Sequence, residues 1–336
     1  MKISVALCTW NGEKYLAEQL GSIFAQTYAV NEIIICDDQS TDKTVSIILH
    51  FEKQFPGIIH LVQNKKALQA RKNFEQAITR CTGDLIFLCD QDDRWLENKV
   101  ADTVDFFTKQ PNAVGVFTNG FFLGDEVVME YKTLWGALSF SAQLQQMANE
   151  YNLLEMLLKL NNFVTGAALC FKKEAKAYIL PLYCPKPHWH DYWIALQIAV
   201  RNQLYFLDKK LIHYRVHASQ QTGFSVARLD DDEAAFKEAV WQDNYNGLRT
   251  AVVLPFVGRA ITRCKLYQKH MEALGQDAGR LNKLAMLLKK HLNAVKQQHY
   301  AQLGFIGKKK LFIKSCLRPL KYSYISFKDR IILFFR

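Results

Sequence analysis

Short β-rich apolar runs alternate with longer amphipathic stretches through the first ~125 residues, and this alternation constrains the fold more than any other feature. "ISVALCT" reads as a strand. "EKYLAEQLGSIFAQT" reads as a helix, with Leu16, Leu20, Ile23 and Phe24 at helical spacing. "EIIICDD" is a second strand, and "DKTVSIILHFEKQF" a helix that Thr41 or Asp42 is placed to cap. "GIIHLVQN", "ALQARKNFEQAITRC", "GDLIFLCD" and "ENKVADTVDFFTKQ" continue as strand, helix, strand and helix. "AVGVFTNGFFLG" follows as a strand or strand pair. Such a pattern predicts an α/β fold, a mostly parallel sheet with helices on both faces.

In sheets of this kind ligands bind beyond the carboxyl ends of the strands. Polar clusters stand at three such ends: "CTWNGE" after the first strand, Asp37 and Asp38 after the second, and "DQDD" after the fourth. All three are expected to meet at one edge. In "DQDD", Asp90 and Asp92 are two residues apart and point to the same side of an extended chain. Hard oxygen ligands so placed suit Mg²⁺ or Mn²⁺, with substrate phosphates completing the shell. The plainer reading is a solvated turn in which "DDRWLENK" starts a helix. Asp93 is then the residue that caps it. Asp37 and Asp38 are placed to accept hydrogen bonds from a ribose or base, or simply to build a turn. Neither GxGxxG nor GxxxxGKS occurs, which disfavours dinucleotide and P-loop sites.

Two later segments carry chemistry. "HWHDYW" puts His190 and Asp191 at the mouth of a helix among Trp189, Tyr192 and Trp193. Asp191 is either a helix cap or a general base in an aromatic-walled pocket that suits a sugar. "HYRVH" carries Arg215 and His217 from the end of an expected strand pair, "QLYFLDKKLIHYRVH". There a cation could hold a phosphate and a neutral His a metal, unless both are ordinary surface residues. "FVTGAALCFKK" reads as a strand opened by a glycine turn, and "NLLEMLLKL" as helical.

The ordered set "VALCTWNGEKYLAEQLGSIFAQT", "IIICDDQSTDKT", "LIFLCDQDDRW", "GAALCFKKE", "HDYWIAL" and "IHYRVH" resembles the family-2 inverting glycosyltransferases. It is closest to bacterial enzymes that build surface polysaccharide, including rhamnosyltransferases. The resemblance covers residues 2–225 and implies a nucleotide-sugar-binding domain of the glycosyltransferase A type. It implies that Thr9, Asn11 and Glu13 line the nucleotide pocket, and that Asp38 contacts base or ribose with Asp37 nearby. Asp90 and Asp92 become the DxD pair of metal ligands, Asp92 the foremost. Asp191 becomes the catalytic base, and Arg215 and His217 face the diphosphate, His217 as a further metal ligand. Two departures stand out: Gln39 where members often have Gly, and Trp10 where they often have Tyr or Phe.

The expected organisation is a catalytic domain over 1–225 and a helical, basic region over 226–336. Net charge is +11, and residues 304–336 hold nine Lys or Arg against Asp329 alone, so the tail carries +8 of it. Interleaved with Leu311, Phe312, Ile313 and Tyr322, these cations suit an anionic membrane surface better than a packed helix with a solvated face. No nucleic-acid module accompanies the charge. The eight cysteines form no CxxC pair, which implies a reducing compartment and no zinc site. No signal peptide or transmembrane run is visible. The expectation is a metal-dependent inverting transferase on the inner membrane face. It would move a sugar from a UDP- or dTDP-sugar to a glycan or lipid-linked glycan of the cell surface. The alternatives are a nucleotidyltransferase acting on sugar phosphates and a non-catalytic, membrane-associated glycan-binding protein.

Overall fold

The computed structural model describes residues 1–124, 132–138, 140, 142, 145–146, 148, 153–159, 162–183, 189–217, 220 and 250–302. The basic segment 304–336, expected to meet a membrane, lies outside the described residues. Contacts divide the chain into two compact units, Met1–Met147 with Asn162–Val226 and Ala148–Asn161 with Ala227–Arg336.

The first unit is built on one 8-stranded sheet of order β3-β2-β1-β4-β7-β6-β8-β5. The strands are β1 (Ile3–Thr9), β2 (Glu32–Asp37), β3 (Ile59–Gln63), β4 (Leu85–Cys89), β5 (Arg94–Trp95), β6 (Gly115–Leu123), β7 (Leu169–Lys172) and β8 (Leu204–Arg215). Only β7 and β5 run against the rest, so the sheet is mostly parallel as the alternation predicts. Every residue of β2 and β4 is buried, the mark of parallel strands covered on both sides.

The helices of this unit are α1 (Leu16–Phe24), α2 (Thr44–Gln54), α3 (Gln69–Arg80), α4 (Lys99–Lys109), α5 (Leu134–Ala137), α7 (Lys176–Ile179) and α8 (His190–Val200). The path β1, β2, β3 moves outward in one direction, while β3 to β4 returns across β2 and β1. Right-handed crossovers therefore put α1 and α2 on one face and α3 on the other. The contacts agree: α1 touches α2, and α3 packs on β1 and β2. Leu16, Leu20 and Ile23 of α1 are buried, as their spacing predicts. The glycine turn before β7 is a short 3₁₀ helix, Gly166–Ala168.

The structure corrects two expectations and settles one open alternative. "QLYFLDKKLIHYR" is one strand, because both halves pair in parallel with β6 and the polar residues between them are absorbed as register shifts. "AVGVFTNGFFLG" resolves into one strand. Arg94 and Trp95 form strand β5 rather than a helix start, since they pair with His213 and Ile212 of β8. The next helix starts only at Lys99, so Asp93 does not cap it.

The second unit contains α6 (Leu153–Lys159), α9 (Thr250–Ala273) and α10 (Gly279–Gln302). α9 and α10 pack through Tyr267, Met271, Leu281 and Leu288, all buried. Gly275, at φ 67, turns the chain between them, where a left-handed residue suits a helix C-terminus. Among the described residues no helix is long and apolar enough to cross a membrane.

Candidate active site

The strand order places a switch point between β1 and β4. From β1 the chain leaves toward β2, and from β3 it returns to β4 on the opposite side. The carboxyl ends of two such strands diverge into a crevice. A cleft of about 580 Å³ opens there. Trp10 and Gln91 brace its floor: the Gln91 side chain accepts from the Trp10 amide at 2.9 Å and donates to the Trp10 carbonyl at 3.0 Å. Gly12 leaves room for this brace: a Cβ there would stand 2.3 Å from Gln91 Oε1 and displace that side chain.

Of the predicted site residues, Thr9, Asn11, Asp38, Asp90, Asp92, Asp191 and His217 line the cleft. Glu13, Asp37 and Arg215 are outside its lining. Asp37 is buried, and its carboxylate accepts from Thr9 Oγ1 at 2.8 Å and from the Ser40 amide and hydroxyl at 3.0 and 2.5 Å. Glu13 accepts from the Lys43 amide just before α2, at 2.9 Å. Arg215 donates to Glu18 and, at 2.7 Å, to the Asp92 carbonyl, and it lies 4.3 Å over the Tyr15 ring. These three side chains are held by other protein groups and are not part of the cleft lining.

Asp38 does both. It lines the cleft, yet it accepts from Asn64 at 2.8 Å and from the Leu68 and Gln69 amides at 2.7 and 2.8 Å. It therefore anchors the N-terminus of α3, whose first amides have no partner within the helix. Asn11 and Gln39 both take left-handed backbones, at φ 47 and 65. That conformation accounts for the glycine the resemblance leads one to expect at Gln39, and a side chain there costs on the order of 1 kcal/mol.

On the β4 side the acids are poorly paired. Among the described residues no donor reaches the Asp90 side chain. Burial, with Asp92 and Asp191 close by, raises its carboxyl to about 7. Asp92 Oδ2 lies 2.9 Å from His217 Nε2. Asp93 is buried, accepts the Arg215 amide at 2.9 Å, and keeps Oδ2 without a partner. Burial and the neighbouring acids push its carboxyl well up.

Asp191 sits in the first turn of α8. Burial raises its carboxyl to about 6 against the lowering effect of the Tyr192 and Gly166 amides and the Asn162 side chain. His190 packs its ring on Phe74 of α3 at 4.2 Å. Burial lowers this imidazole to about 4, so it is neutral.

The Asp92–His217 pair fits a hard or borderline divalent ion. A carboxylate oxygen and an imidazole nitrogen about 3 Å apart match adjacent corners of an octahedral shell with bonds near 2.1 Å. No group of three or more His, Cys, Asp or Glu ligands forms among the described residues, so the remaining corners would fall to phosphate and water.

The glycosyl transferase family 2 pattern matches residues 4–175, just over half of the 336-residue chain. The chain belongs to glycosyl transferase family 2. An uncharacterised glycosyltransferase of Nostoc sp. is 26% identical over 252 residues, 73% of this chain and 74% of that one. The dTDP-rhamnosyl transferase RfbG of Shigella flexneri is 28% identical over 232 residues, 66% of this chain and 75% of that one. WfgD of Escherichia coli, a UDP-Glc:alpha-D-GlcNAc-diphosphoundecaprenol beta-1,3-glucosyltransferase, is 30% identical over 107 residues, 32% of this chain and 41% of that one. Among solved structures, S. aureus TarS 1-349 in complex with UDP-GlcNAc has a TM-score of 0.52 at 15% identity, covering 99% of this chain and 89% of that one, a likeness of fold.

This family-2 site holds residues that sequence reasoning missed. The Gln91 brace, the Tyr15 ring between Arg215 and His217, Phe74, and the Asn162–Gly166 wall beside Asp191 carry no local signature. The signal in "RKNFEQ" is amphipathicity alone, which shows that Phe74 is buried but not what it faces.

Proposed function

We propose that this family-2 protein is a metal-dependent inverting glycosyltransferase. Its donor is a nucleoside-diphosphate sugar, UDP- or dTDP-linked, and its acceptor a hydroxyl of a cell-surface glycan. The observation that carries the reading is one cleft holding both the Asp92–His217 pair and Asp191, whose carboxyl is raised to about 6.

The nucleoside would lie against Thr9, Asn11 and Asp38 at the β1–β2 end. Asp92 and His217 would hold Mg²⁺ or Mn²⁺, with Asp90 beside them. A cation so held supplies charge neutralisation for the departing diphosphate. Asp191 takes the proton of the acceptor hydroxyl as that oxygen attacks the anomeric carbon. The bond from that carbon to the diphosphate oxygen breaks on the opposite face. One displacement with one base inverts the anomeric centre, whereas double displacement needs a second carboxylate as nucleophile. A base tuned near 6 is ionised at neutral pH and still basic enough to help.

Activities named for RfbG and WfgD support a dTDP- or UDP-sugar donor and a lipid-linked acceptor. The basic segment 304–336 is read as the contact with the anionic cytoplasmic membrane face that would carry such an acceptor. The test is a transfer assay with Asp191→Asn. Turnover is expected to fall by about a thousandfold, and near-normal transfer would refute the base assignment.

A further inference from the structure

His190 lines the cleft at only 9% exposure, and among the described residues no protein donor or acceptor reaches its ring. Its Nδ1 is sealed off without a partner. Its Nε2 lies by Gly166: a Cβ added there would stand 3.5 Å from Nε2 and 4.0 Å from Asp191 Oδ2. Glycine at 166 therefore keeps a small space open between the imidazole and the carboxylate. Buried polar groups are nearly always paired, and an unpaired one costs stability unless a ligand completes it.

We propose that His190 Nε2 hydrogen-bonds a hydroxyl of the transferred sugar in the space beside Gly166, and that it selects an uncharged sugar. This rests on the glycosyltransferase reading above. The donor side is favoured because the ring stacks on Phe74 of α3, the helix whose N-terminus Asp38 anchors at the nucleoside end. The stacking fixes the ring plane, and in that plane Nε2 is the nitrogen beside Gly166. The imidazole is neutral and offers a hydrogen bond without charge. Asp191, with Asp90 close enough to feel its charge, borders the same space. A sugar carboxylate placed there would meet carboxylates, whereas a hydroxyl can donate to Asp191 or exchange a hydrogen bond with His190.

The experiment is calorimetry with Mn²⁺ on wild type, His190→Phe and Gly166→Ala. The probes are UDP, UDP-glucose, dTDP, dTDP-rhamnose and UDP-glucuronate. Gly166→Ala makes only ordinary contacts with the protein, so it fills the space without forcing the fold. Melting temperature serves as the folding control. Both variants are expected to bind the free diphosphate as wild type does. Each should lose about tenfold in affinity for the neutral nucleotide-sugar that wild type prefers, the size of one hydrogen bond. UDP-glucuronate should bind wild type no better than UDP. Unchanged nucleotide-sugar affinity in both variants, or tight UDP-glucuronate binding, would overturn the proposal and leave the glycosyltransferase reading standing. A wild type that binds no diphosphate at all would overturn both.

Discussion

Asp37 and Asp191 are aspartates at the ends of secondary-structure elements, one buried beneath the cleft and one half-buried in its wall, and the protein surrounds them differently. Asp37 accepts three hydrogen bonds from Thr9 and Ser40. Glu32, on the same strand, accepts from Ser4, Thr82 and Gly83. Burial works against that carboxylate, but these donors and Lys2 overcome it and lower its pKa to about 2. On the other side, Asp90, Asp93 and Asp191 crowd one another, and their carboxyls are raised. The β1–β2 side spends its acids on holding loops. The β4–α8 side keeps acids whose protein partners do not offset burial and the neighbouring charges, a cost that a protein retains where chemistry requires it.

Substitutions should separate the two sides by sign. Asp37→Asn is expected to cost about 2–3 kcal/mol, because the amide sets a donor against the Thr9 or Ser40 donors. Chemical denaturation reads this directly, and an unchanged midpoint would erase the distinction. Asp90→Asn should do the reverse in metal-free protein, stabilising it by about 1 kcal/mol through relief of desolvation and repulsion. A destabilised variant would mean that Asp90 has a partner the account lacks.

The pH dependence gives a smaller, graded contrast. The Asp191 carboxyl rises from 3.8 to about 6, so the folded state holds this proton longer than the unfolded state. Its ionisation therefore weakens the fold, with no cost below about pH 3.8 and the full cost above about pH 6. Thermal melts should show Asp191→Asn gaining on wild type across that window. Glu32 has the opposite sign. Its stabilisation is present above 4.5 and lost as pH falls toward about 2, so Glu32→Gln should differ least from wild type in strong acid. Turnover should drop as pH falls through about 6, because only the ionised base accepts a proton. A flat profile from pH 5 to 8 would contradict that role.

The smallest effect expected is at Trp189. This residue precedes α8, lines the cleft, and leaves 45% of its surface exposed. Such a ring suits the apolar C–H face of an acceptor sugar. Trp189→Ala should raise the acceptor KM about threefold to tenfold with little change in kcat, since stacking of this kind contributes on the order of 1 kcal/mol. A fall in kcat alone would place the ring elsewhere in the reaction.

The sequence made the strand ends legible, because apolar runs that stop at "CTWNGE", "CDDQS" and "CDQDD" mark the edge where a parallel sheet meets its ligand. It also made Asp191 and His217 visible as candidates. It could not assign Arg215 or Glu13, since a charged residue near a site can face the ligand or hold a loop, and only partners decide. Arg215 pairs with Glu18, and nothing in "EKYLAEQL" announces that pairing. The single strand β8 was hidden for a similar reason. The polar "DKK" reads locally as a turn, and only pairing of both flanks with β6 shows it to be a bulge. A short-range pattern allows Asp93 to be a cap, while a backbone amide 122 positions away in the sequence claims its carboxylate.

The most direct test of the account is whether the ill-paired acids bind a cation that in turn holds the nucleotide. Calorimetry of UDP-glucose and dTDP-rhamnose with and without Mn²⁺ should show tight binding of one donor only when metal is present. Asp92→Ala should abolish that metal-dependent increment without lowering the melting temperature. Equal affinity with and without Mn²⁺, or an Asp92→Ala protein that binds as wild type does, would contradict it.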